Sequence, residues 1–292
     1  MEPKASIIIT TWNRCKILQE RALKSALNQT FLDKEIIVVD HGSTDDTEEE
    51  MKRYLKFPYH HVRYLKLPQN SGIVSTARNA GIKIARGKYV VFLDDDNELH
   101  PEYLKKTVEF LDSRTQYEAV FTSRIIKYKD YQDIATPPFA EKIVSIDWGW
   151  LIRKWVFDEI QYDEKCMANE DTDFGIQFLK VFRYGQIHEP LQTAYDTDDP
   201  KSSHSYPSPI KLSGWEYFLN KNLETYNNPN ELRYIYRLVG RSFYWGGFKL
   251  KGLRYMWKSF RAMPQWRSFK HFFFLLWGWK VYEWYMNNQE RK

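Results

Sequence analysis

Cysteines and long apolar runs are scarce in this chain of 292 residues. Cys15 and Cys166 are its two cysteines, which excludes a disulfide framework and a zinc knuckle, since each needs several spaced cysteines. The most apolar run, residues 272–279, is too short to cross a bilayer, which takes about 20 residues. The N-terminal sequence MEPKASIIIT has neither the apolar segment nor the cleavage site of a signal peptide. We therefore expect a cytoplasmic protein, either free or peripheral on the inner face of the cytoplasmic membrane.

Glycine is missing from the beginning of the chain, where the first one is Gly42. The first β-branched run, residues 5–10, is followed by the sequence TWNR instead of a glycine-rich loop. A nucleotidyltransferase normally holds its triphosphate on a glycine-rich, basic loop after the first strand, and a Rossmann dehydrogenase has G-x-G-x-x-G there. The sequence therefore argues against a dehydrogenase, and it leaves metal-dependent nucleotidyl transfer as a less favoured alternative.

Aromatic and basic residues are concentrated near the C-terminus. Residues 249–292 contain ten Lys or Arg and two Glu, in a chain whose net formal charge is +5 and whose aromatic content is 17%. Interleaved aromatic and basic residues are typical of a helix that lies on an anionic membrane surface. Packing as a helical subdomain and a subunit interface are the two alternatives. No nucleic-acid-binding module accompanies the basic residues, so we expect no nucleic-acid partner.

Short β-branched runs alternate with amphipathic segments through the first 120 residues. The predicted strands are 5–10, 35–39, 61–65, 88–93 and 118–122, and the predicted helices are 16–28, 45–55, 72–85 and 101–111. Continuous apolar strands separated by helices predict an α/β fold with a mainly parallel sheet covered on both faces. From about residue 210 the pattern becomes helical, which predicts one domain over 1–209 and a helical extension over 210–292.

Three consecutive aspartates, Asp94, Asp95 and Asp96, end the fourth predicted strand. Ligands bind beyond the carboxyl ends of the strands in such sheets. A hard divalent cation, Mn²⁺ or Mg²⁺, prefers oxygen ligands and would relieve the repulsion between adjacent carboxylates. Alternation along an extended chain predicts that Asp94 and Asp96 point one way and Asp95 the other. The alternative is a solvated acidic turn that caps the helix near Pro101.

Asp40 ends the second predicted strand, within the sequence VVDHGSTDDT. It therefore belongs to the same rim of the sheet, where a carboxylate could accept the imide N–H of uracil or bind a ribose. The alternative is an N-cap or an Asx turn for the helix after Ser43. Asp45 offers a second residue for that capping role, which leaves Asp40 available to a ligand.

Four segments in order resemble the motifs of family 2 glycosyltransferases, which have the GT-A fold. They are ASIIITTWNR, IIVVDHGSTDDT, NSGIVSTARNAGIKIARGKYVVFLDDDN and NEDTDFGIQFLKVFRYG, and the resemblance covers roughly residues 5–190. It implies a nucleotide-binding half over about 1–120 and an acceptor half over about 121–209. Two departures, His41 where many members have a second aspartate and Thr10 where many have proline, bear on the base and sugar preference.

The resemblance also implies a role for each matching residue. The residues that would bind the nucleotide sugar are Thr11, Asn13, Asp40, Gly72, Arg78, Asp94 and Asp95. Among them, Asp40 would read the base. The three aspartates match the DXD motif, in which Asp96 would be the principal metal ligand and Asp94 would support the ribose or the metal.

Glu170 and Asp171 match the ED motif of the family, ahead of an apolar helical segment. By the resemblance, Asp171 is the general base and Glu170 orients the loop. The alternative is that these carboxylates only stabilise the positive N-terminus of a helix. Composition leaves both interpretations open.

Three further residues are supporting candidates. His204 lies in the sequence DDPKSSHSYPS, a loop that could close over the donor and complete the metal site, or it is a surface histidine. Trp148 and Trp150 could stack on a sugar ring, or they belong to the core.

The motifs together predict a metal-dependent, inverting glycosyltransferase. Asp171 would take the proton of the acceptor hydroxyl as that oxygen attacks the anomeric carbon, and Mn²⁺ or Mg²⁺ would stabilise the departing diphosphate. The predicted partners are a nucleotide-diphosphate sugar, with UDP-sugars favoured, and a polyprenyl-linked, cell-envelope or exopolysaccharide glycan. The alternative from another class is a non-catalytic sugar- or lipid-binding module of the same fold, against which the retention of Asp94, Asp96 and Asp171 argues.

Overall fold

A computed structural model describes residues 2–56, 61–135, 149–195, 209–226 and 228–264, with the backbone alone described for 209–211. The chain forms two compact units, Met1–His204 and Ser205–Lys292. The first unit contains the sheet and the described residues that were predicted to bind the donor. The second unit is helical in the part that the structure describes.

The first unit is built on one sheet, which has nine strands within the described residues. The strands are β1 (Ala5–Thr11), β2 (Lys34–Asp40), β3 (Val62–Lys66), β4 (Tyr89–Asp94), β5 (Glu98–Leu99), β6 (Ala119–Lys127), β7 (Gln132–Ala135), β8 (Leu151–Arg153) and β9 (Tyr184–Tyr195). Their order across the sheet is β3-β2-β1-β4-β8-β6-β9-β5, and β7 pairs with β6 outside this path.

The half of the sheet formed by β3, β2, β1 and β4 is parallel, as predicted. Thr11 pairs with Asp40 across β1 and β2, and Thr10 pairs with Asp94 across β1 and β4. The carboxyl ends of these three strands therefore lie side by side. This confirms the prediction that Asp40 and the aspartate cluster share one rim of the sheet.

The half of the sheet beyond β4 is mixed, which departs from the predicted parallel arrangement. β8 pairs antiparallel with both β4 and β6, β5 pairs antiparallel with β9, and β6 pairs parallel with β9. β5 and β8 are two and three residues long, so neither is long enough to show a period in the sequence. The alternation of long strands and helices in the first 120 residues therefore predicts the parallel half and the start of β6, but not the antiparallel pairing beyond β4.

Helices cover both faces of this sheet. They are α1 (Cys15–Leu18), α2 (Lys24–Leu27), α3 (Thr47–Met51), α4 (Val74–Ile84), α5 (Tyr103–Ser113), α6 (Val156–Glu159) and α7 (Glu170–Val181). The predicted helix over 16–28 is one helical segment, in which a π-helical turn, Gln19–Leu23, joins α1 to α2. A 3-10 turn, Lys52–Leu55, extends α3.

Alternate residues of β1 belong to two separate hydrophobic cores. Ile7 and Ile9 share one core with Leu104 of α5, and Ile8 shares the other with Phe174 of α7. Side chains alternate between the faces of a strand, so a strand that is covered on both faces reads as a continuous apolar run. This packing explains why the sequence ASIIIT indicates a central strand.

The described part of the second unit contains α8 (Pro209–Asn222), α9 (Pro229–Trp245) and α10 (Lys249–Ala262). The side chain of Asn228 caps α9 by accepting a 2.9 Å hydrogen bond from the backbone N–H of Glu231. α9 and α10 approach closely, because a Cβ atom on Gly252 would lie 2.8 Å from the carbonyl oxygen of Gly240. Among the helices described, none is both long enough and apolar enough to cross a membrane.

Candidate active site

The rim formed by β1, β2 and β4 carries the residues that were predicted to bind the donor. Thr11 ends β1, Asp40 ends β2 and Asp94 ends β4. Arg78, from α4, contacts both Asp94 and Glu170, the first residue of α7. One buried cation therefore links the DXD and ED motifs, which are distant in the sequence.

The aspartate cluster turns sharply after Asp94. β4 ends at this residue, and the backbone N–H of Asn97 donates a 3.1 Å hydrogen bond to its carbonyl oxygen, which closes a turn over Asp95 and Asp96. The two terminal nitrogens of Arg14 then contact Asp95 at 2.8 Å and Asp96 at 2.9 Å. The predicted alternation is wrong here, because Asp95 and Asp96 lie in a turn rather than in an extended strand.

Asp95 is buried, and both of its carboxylate oxygens are engaged. Thr11 donates a 2.8 Å hydrogen bond to one oxygen, and Arg14 contacts the other. Burial raises the pKa of Asp95 to about 7, although Arg14 opposes the rise. Thr11 and Asp95 thus form one unit that joins the end of β1 to the DXD motif.

Arg78 is 5% exposed and lies between carboxylates. It donates to Glu170 at 2.9 Å and lies 3.5 Å from Asp94, and its guanidinium carbon is 5.3 Å from the ring centre of Tyr162. Burial raises the pKa of Glu170, and Arg78 opposes that rise. A buried cation with two anionic partners and an aromatic neighbour is held in one position, so Arg78 fixes the relative placement of the two motifs.

Asp171 lies in the first turn of α7, directly after Glu170. The backbone before it is set by Asn169, whose φ of 54° is in the left-handed region that asparagine tolerates. Removal from water raises the pKa of Asp94, and the charges of Asp96 and Asp171 add to the rise, while Arg78 lowers it. Asp171 is therefore close enough to the DXD motif to influence its ionisation.

Asp40 is fully buried, and its carboxylate makes two hydrogen bonds. The backbone N–H of Ser43 donates to one oxygen at 2.7 Å, and the phenol of Tyr64 donates to the other at 2.5 Å. The bond to Ser43 forms the Asx turn that the sequence analysis gave as the alternative to nucleotide-base recognition by Asp40. Asp45 also accepts hydrogen bonds, from the backbone and hydroxyl of Thr47 at the start of α3.

Tyr64 was missed by the sequence interpretation. It lies in β3, in a run of alternating residues that indicates an ordinary strand, and nothing in the sequence pairs it with Asp40. Burial and the bond to Asp40 raise the pKa of this phenol above its ordinary value. Tyr64 therefore stays protonated and keeps donating to Asp40.

Asn13 and Gly72 shape two loops at this rim. The side-chain carbonyl of Asn13 accepts a 2.7 Å hydrogen bond from the backbone N–H of Thr44, so it ties the loop after β1 to the loop after β2. Gly72 has a φ of 74°, and its N–H donates to the side chain of Asn70 at 2.7 Å. His41 accepts a 3.2 Å hydrogen bond from the N–H of Ser71, which joins the Gly72 loop to the Asp40 loop.

The supporting candidates have different outcomes. Trp150 is 1% exposed and packs against Phe121, Phe178 and Tyr184, so its ring belongs to the core, the second of the two alternatives. Trp148 and His204 lie outside the described residues.

The side chains of the DXD motif fit a hard divalent cation. Its donors are carboxylate oxygens, and the Arg14 guanidinium already lies against two of them as a cation. Within the described ranges, no group of three or more His, Cys, Asp or Glu side chains is arranged to hold a metal ion. Mg²⁺ is usually bound by one or two carboxylates together with substrate phosphates. A metal ion held by the DXD carboxylates would therefore take a diphosphate as its remaining ligand.

Comparison with known proteins identifies a family and a fold that match this architecture. The sequence model described as "Glycosyl transferase family 2" matches residues 6–183, more than half of the chain. A curated relative, poly(ribitol-phosphate) beta-N-acetylglucosaminyltransferase TarP of Staphylococcus aureus, is 39% identical over 241 residues, which are 75% of this chain and 70% of TarP.

Solved structures share the fold at low sequence identity. The crystal structure of S. aureus TarS superposes with a TM-score of 0.62 at 20% identity, covering 91% of this chain and 50% of TarS. The same protein has been solved in complex with UDP-GlcNAc. The mannosyltransferase PcManGT of Pyrobaculum calidifontis, in complex with GDP-Man and Mn²⁺, superposes with a TM-score of 0.58 at 14% identity, covering 92% of this chain and 78% of that one. The first unit therefore has the GT-A fold.

Proposed function

Because the chain belongs to glycosyl transferase family 2, we propose that it is a metal-dependent, inverting enzyme that moves a sugar from a UDP-sugar to an acceptor hydroxyl. The observation that carries the proposal is the ion-pair network of Arg78, which joins Asp94 of the DXD motif to Glu170, the neighbour of Asp171. The residues that would hold the leaving group and the residue that would activate the acceptor thus meet across one buried cation.

The proposed nucleotide pocket is the rim around Asp40. Thr11 and Asp40 pair across adjacent strands, Asn13 ties their loops together, and Gly72 lies in the third loop of the rim. Uracil as the base is supported by the similarity to TarP, a poly(ribitol-phosphate) beta-N-acetylglucosaminyltransferase, and to TarS, which was solved in complex with UDP-GlcNAc. We propose that Asp40 reads the base and that Tyr64 holds its carboxylate in place.

The proposed metal ligands are Asp96 and Asp94, with the donor diphosphate as the third partner. When bound there, Mn²⁺ or Mg²⁺ would supply Lewis-acid stabilisation of the negative charge that develops on the leaving diphosphate. The Mn²⁺ in the PcManGT complex supports a divalent ion in this fold. Arg78 holds Asp94 from the side of Glu170, which keeps that carboxylate in a fixed orientation.

The proposed general base is Asp171. Its carboxylate takes the proton of the acceptor hydroxyl while that oxygen forms a bond to the anomeric carbon and the bond from that carbon to the diphosphate oxygen breaks. The electron pair of the broken bond stays on the nucleoside diphosphate. A single in-line displacement of this kind inverts the anomeric configuration, and one base is sufficient for it.

The proposed acceptor is a cell-envelope glycan, which the similarity to TarP, a transferase that acts on poly(ribitol-phosphate), supports. The second unit supports peripheral binding to an anionic membrane surface, where such acceptors are assembled. α10 carries five cations and no acidic residue; they are Lys249, Lys251, Arg254, Lys258 and Arg261. Leu250, at the start of this helix, is 86% exposed. Co-sedimentation with vesicles, with and without anionic lipid, tests this part, and equal binding to both would contradict it.

A donor panel tests the function. Release of the nucleoside diphosphate from UDP-, GDP- and dTDP-sugars should be measured with Mn²⁺, with Mg²⁺ and with EDTA, alongside donor binding by calorimetry. We expect release from a UDP-sugar that EDTA abolishes, and an inverted anomeric proton coupling in the NMR spectrum of the product. Failure of every nucleotide sugar to bind, with or without metal, would overturn the proposal in favour of a non-catalytic module.

A further inference from the structure

Arg14 neutralises two carboxylates of the DXD motif at once. One terminal nitrogen is 2.8 Å from Asp95 and the other is 2.9 Å from Asp96. Its side chain is 20% exposed, so the pair lies mostly out of solvent. A planar guanidinium with two nitrogens in fixed geometry can bridge two separate carboxylates, which a lysine ammonium does less well.

The backbone at Arg14 is fixed independently of these contacts. The carbonyl oxygen of Arg14 accepts a 3.0 Å hydrogen bond from the N–H of Leu18, which starts α1. The preceding residue, Asn13, binds the Ser43 and Thr44 loop through its backbone and side chain. Arg14 is therefore delivered to the motif by a rigid loop, and only its side chain is able to leave.

The two aspartates are held unequally. Asp95 keeps a second hydrogen bond, from Thr11 at 2.8 Å, and its side chain is 6% exposed. The Asp96 side chain is 23% exposed. Arg21 supports the Asp96 turn through the backbone carbonyl oxygen at 3.1 Å and leaves the carboxylate to Arg14. The pair between Arg14 and Asp96 is thus the contact that opens more readily.

A carboxylate oxygen that accepts a guanidinium hydrogen bond cannot direct the same lone pair at a metal ion. The guanidinium charge also repels a divalent cation placed against the same carboxylates. We propose that Arg14 is a positioning residue that bridges Asp95 and Asp96 and competes with the divalent ion for Asp96. This inference rests on the metal site proposed above.

The competition has a consequence for the order of binding. Arg14 lowers the affinity of the donor-free protein for the metal, because it engages one carboxylate oxygen of Asp96 and its charge repels the ion. An arriving diphosphate brings ligands for the ion and an alternative anionic partner for the released guanidinium. The metal ion is therefore expected to bind together with the nucleotide rather than before it.

Mn²⁺ binding without nucleotide tests the inference. The free ion is measured by EPR for the full chain as wild type, Arg14→Gln, Arg14→Lys and Arg21→Gln. All four proteins are measured in the same buffer at pH 8. Arg21→Gln is the matched control, since it removes the same charge from a side chain that contacts the backbone carbonyl of Asp96 and the ring of Tyr195 rather than the Asp96 carboxylate. Thermal unfolding of each variant verifies the fold and gives a second readout, the stabilisation by Mn²⁺.

We expect Arg14→Gln to bind Mn²⁺ about tenfold more tightly than wild type, Arg14→Lys to lie between them, and Arg21→Gln to stay within about twofold of wild type. If Arg14→Gln is folded and binds Mn²⁺ no more tightly than wild type, the competition is overturned. The proposed metal site still stands in that case, provided that the wild type binds Mn²⁺. Absence of Mn²⁺ binding in wild type and in every variant overturns the metal site itself, and this inference with it.

Discussion

The guanidinium of Arg78 donates a 2.9 Å hydrogen bond to Glu170, although the two residues are 92 positions apart. The contact brings helix α4 to the first turn of α7 and places the ED motif beside the DXD motif. Arg78 is buried and the Glu170 side chain is 18% exposed, so removal of either one leaves its partner's charge poorly compensated in a mostly buried pair.

A double-mutant cycle measures this coupling. Arg78→Gln and Glu170→Gln should each lower the free energy of unfolding by about 3 kcal/mol, because each strands its partner. The double variant should lose less than the sum by about 1 kcal/mol or more, since Arg78 and Glu170 are then both replaced by neutral side chains and only Asp94 has lost a charged partner. Urea denaturation provides the values, and strict additivity would show that the two side chains do not interact in solution.

Tyr64→Phe tests the role of the phenol beside Asp40. The variant removes the 2.5 Å hydrogen bond to a buried carboxylate, which should lower the free energy of unfolding by about 1.5–3 kcal/mol. We also expect the KM for the donor to rise severalfold, because the carboxylate that reads the base loses its orientation. Tyr117→Phe is the control, since Tyr117 stacks on Phe110 and precedes β6 at the opposite end of the sheet. Equal effects of the two substitutions would contradict a specific role for Tyr64.

His41 predicts a pH dependence of stability. Burial lowers its pKa, and its Nε2 atom accepts the N–H of Ser71, which requires an unprotonated nitrogen. The unfolded chain then binds more protons than the folded one below pH 6.5, so stability is retained above this pH and falls as pH drops through the folded pKa. The difference in Tm between pH 7.5 and about 5.5 should be smaller for His41→Gln than for the wild type. His100→Gln, at an exposed histidine, should follow wild type; a His41→Gln curve parallel to wild type would refute the assignment.

Substitution of Gly42 and of Gly247 by alanine distinguishes the cost of backbone strain from the cost of a steric clash. Its φ is 77°, and a Cβ atom there would lie 2.7 Å from backbone atoms of Gln69. Gly247 has a φ of 89° with nothing within 4 Å of such an atom. Gly247→Ala should therefore cost only the strain of about 1–2 kcal/mol, and Gly42→Ala should cost more and weaken donor binding. Equal losses in thermal unfolding would show that the loops move apart at no cost.

The parallel half of the sheet was predictable because its strands are buried on both faces. Ile7, Ile8 and Ile9 fill two cores at once, so the whole run is apolar and cannot be confused with a loop. The rim followed from the same pattern, since polar residues at the ends of parallel strands meet at one edge. β8 and β5 escaped prediction because their contacts come from neighbours distant in the chain rather than from local periodicity.

The sequence predicted which residues lie at the rim, but not which of their side chains contact each other. The DXD motif was expected to alternate as a strand, whereas the backbone bond from Asn97 to Asp94 makes it a turn and brings Asp95 and Asp96 to one guanidinium. Arg14 and Tyr64 carry no local signal for these contacts, since each partner is supplied by another strand or loop. Such side-chain partnerships arise only from the folded arrangement.

Asp171 is proposed to remove the acceptor proton, and turnover measured together with donor binding tests this role. Asp171→Asn keeps the size of the side chain and removes its basicity, and Asp158→Asn makes the same change at an exposed residue in the first turn of α6. With the best donor and acceptor, Asp171→Asn should lose about 10²- to 10⁴-fold in kcat while its donor affinity stays within about twofold of wild type. Asp158→Asn should behave as wild type. Turnover by Asp171→Asn near the wild-type rate would contradict the account.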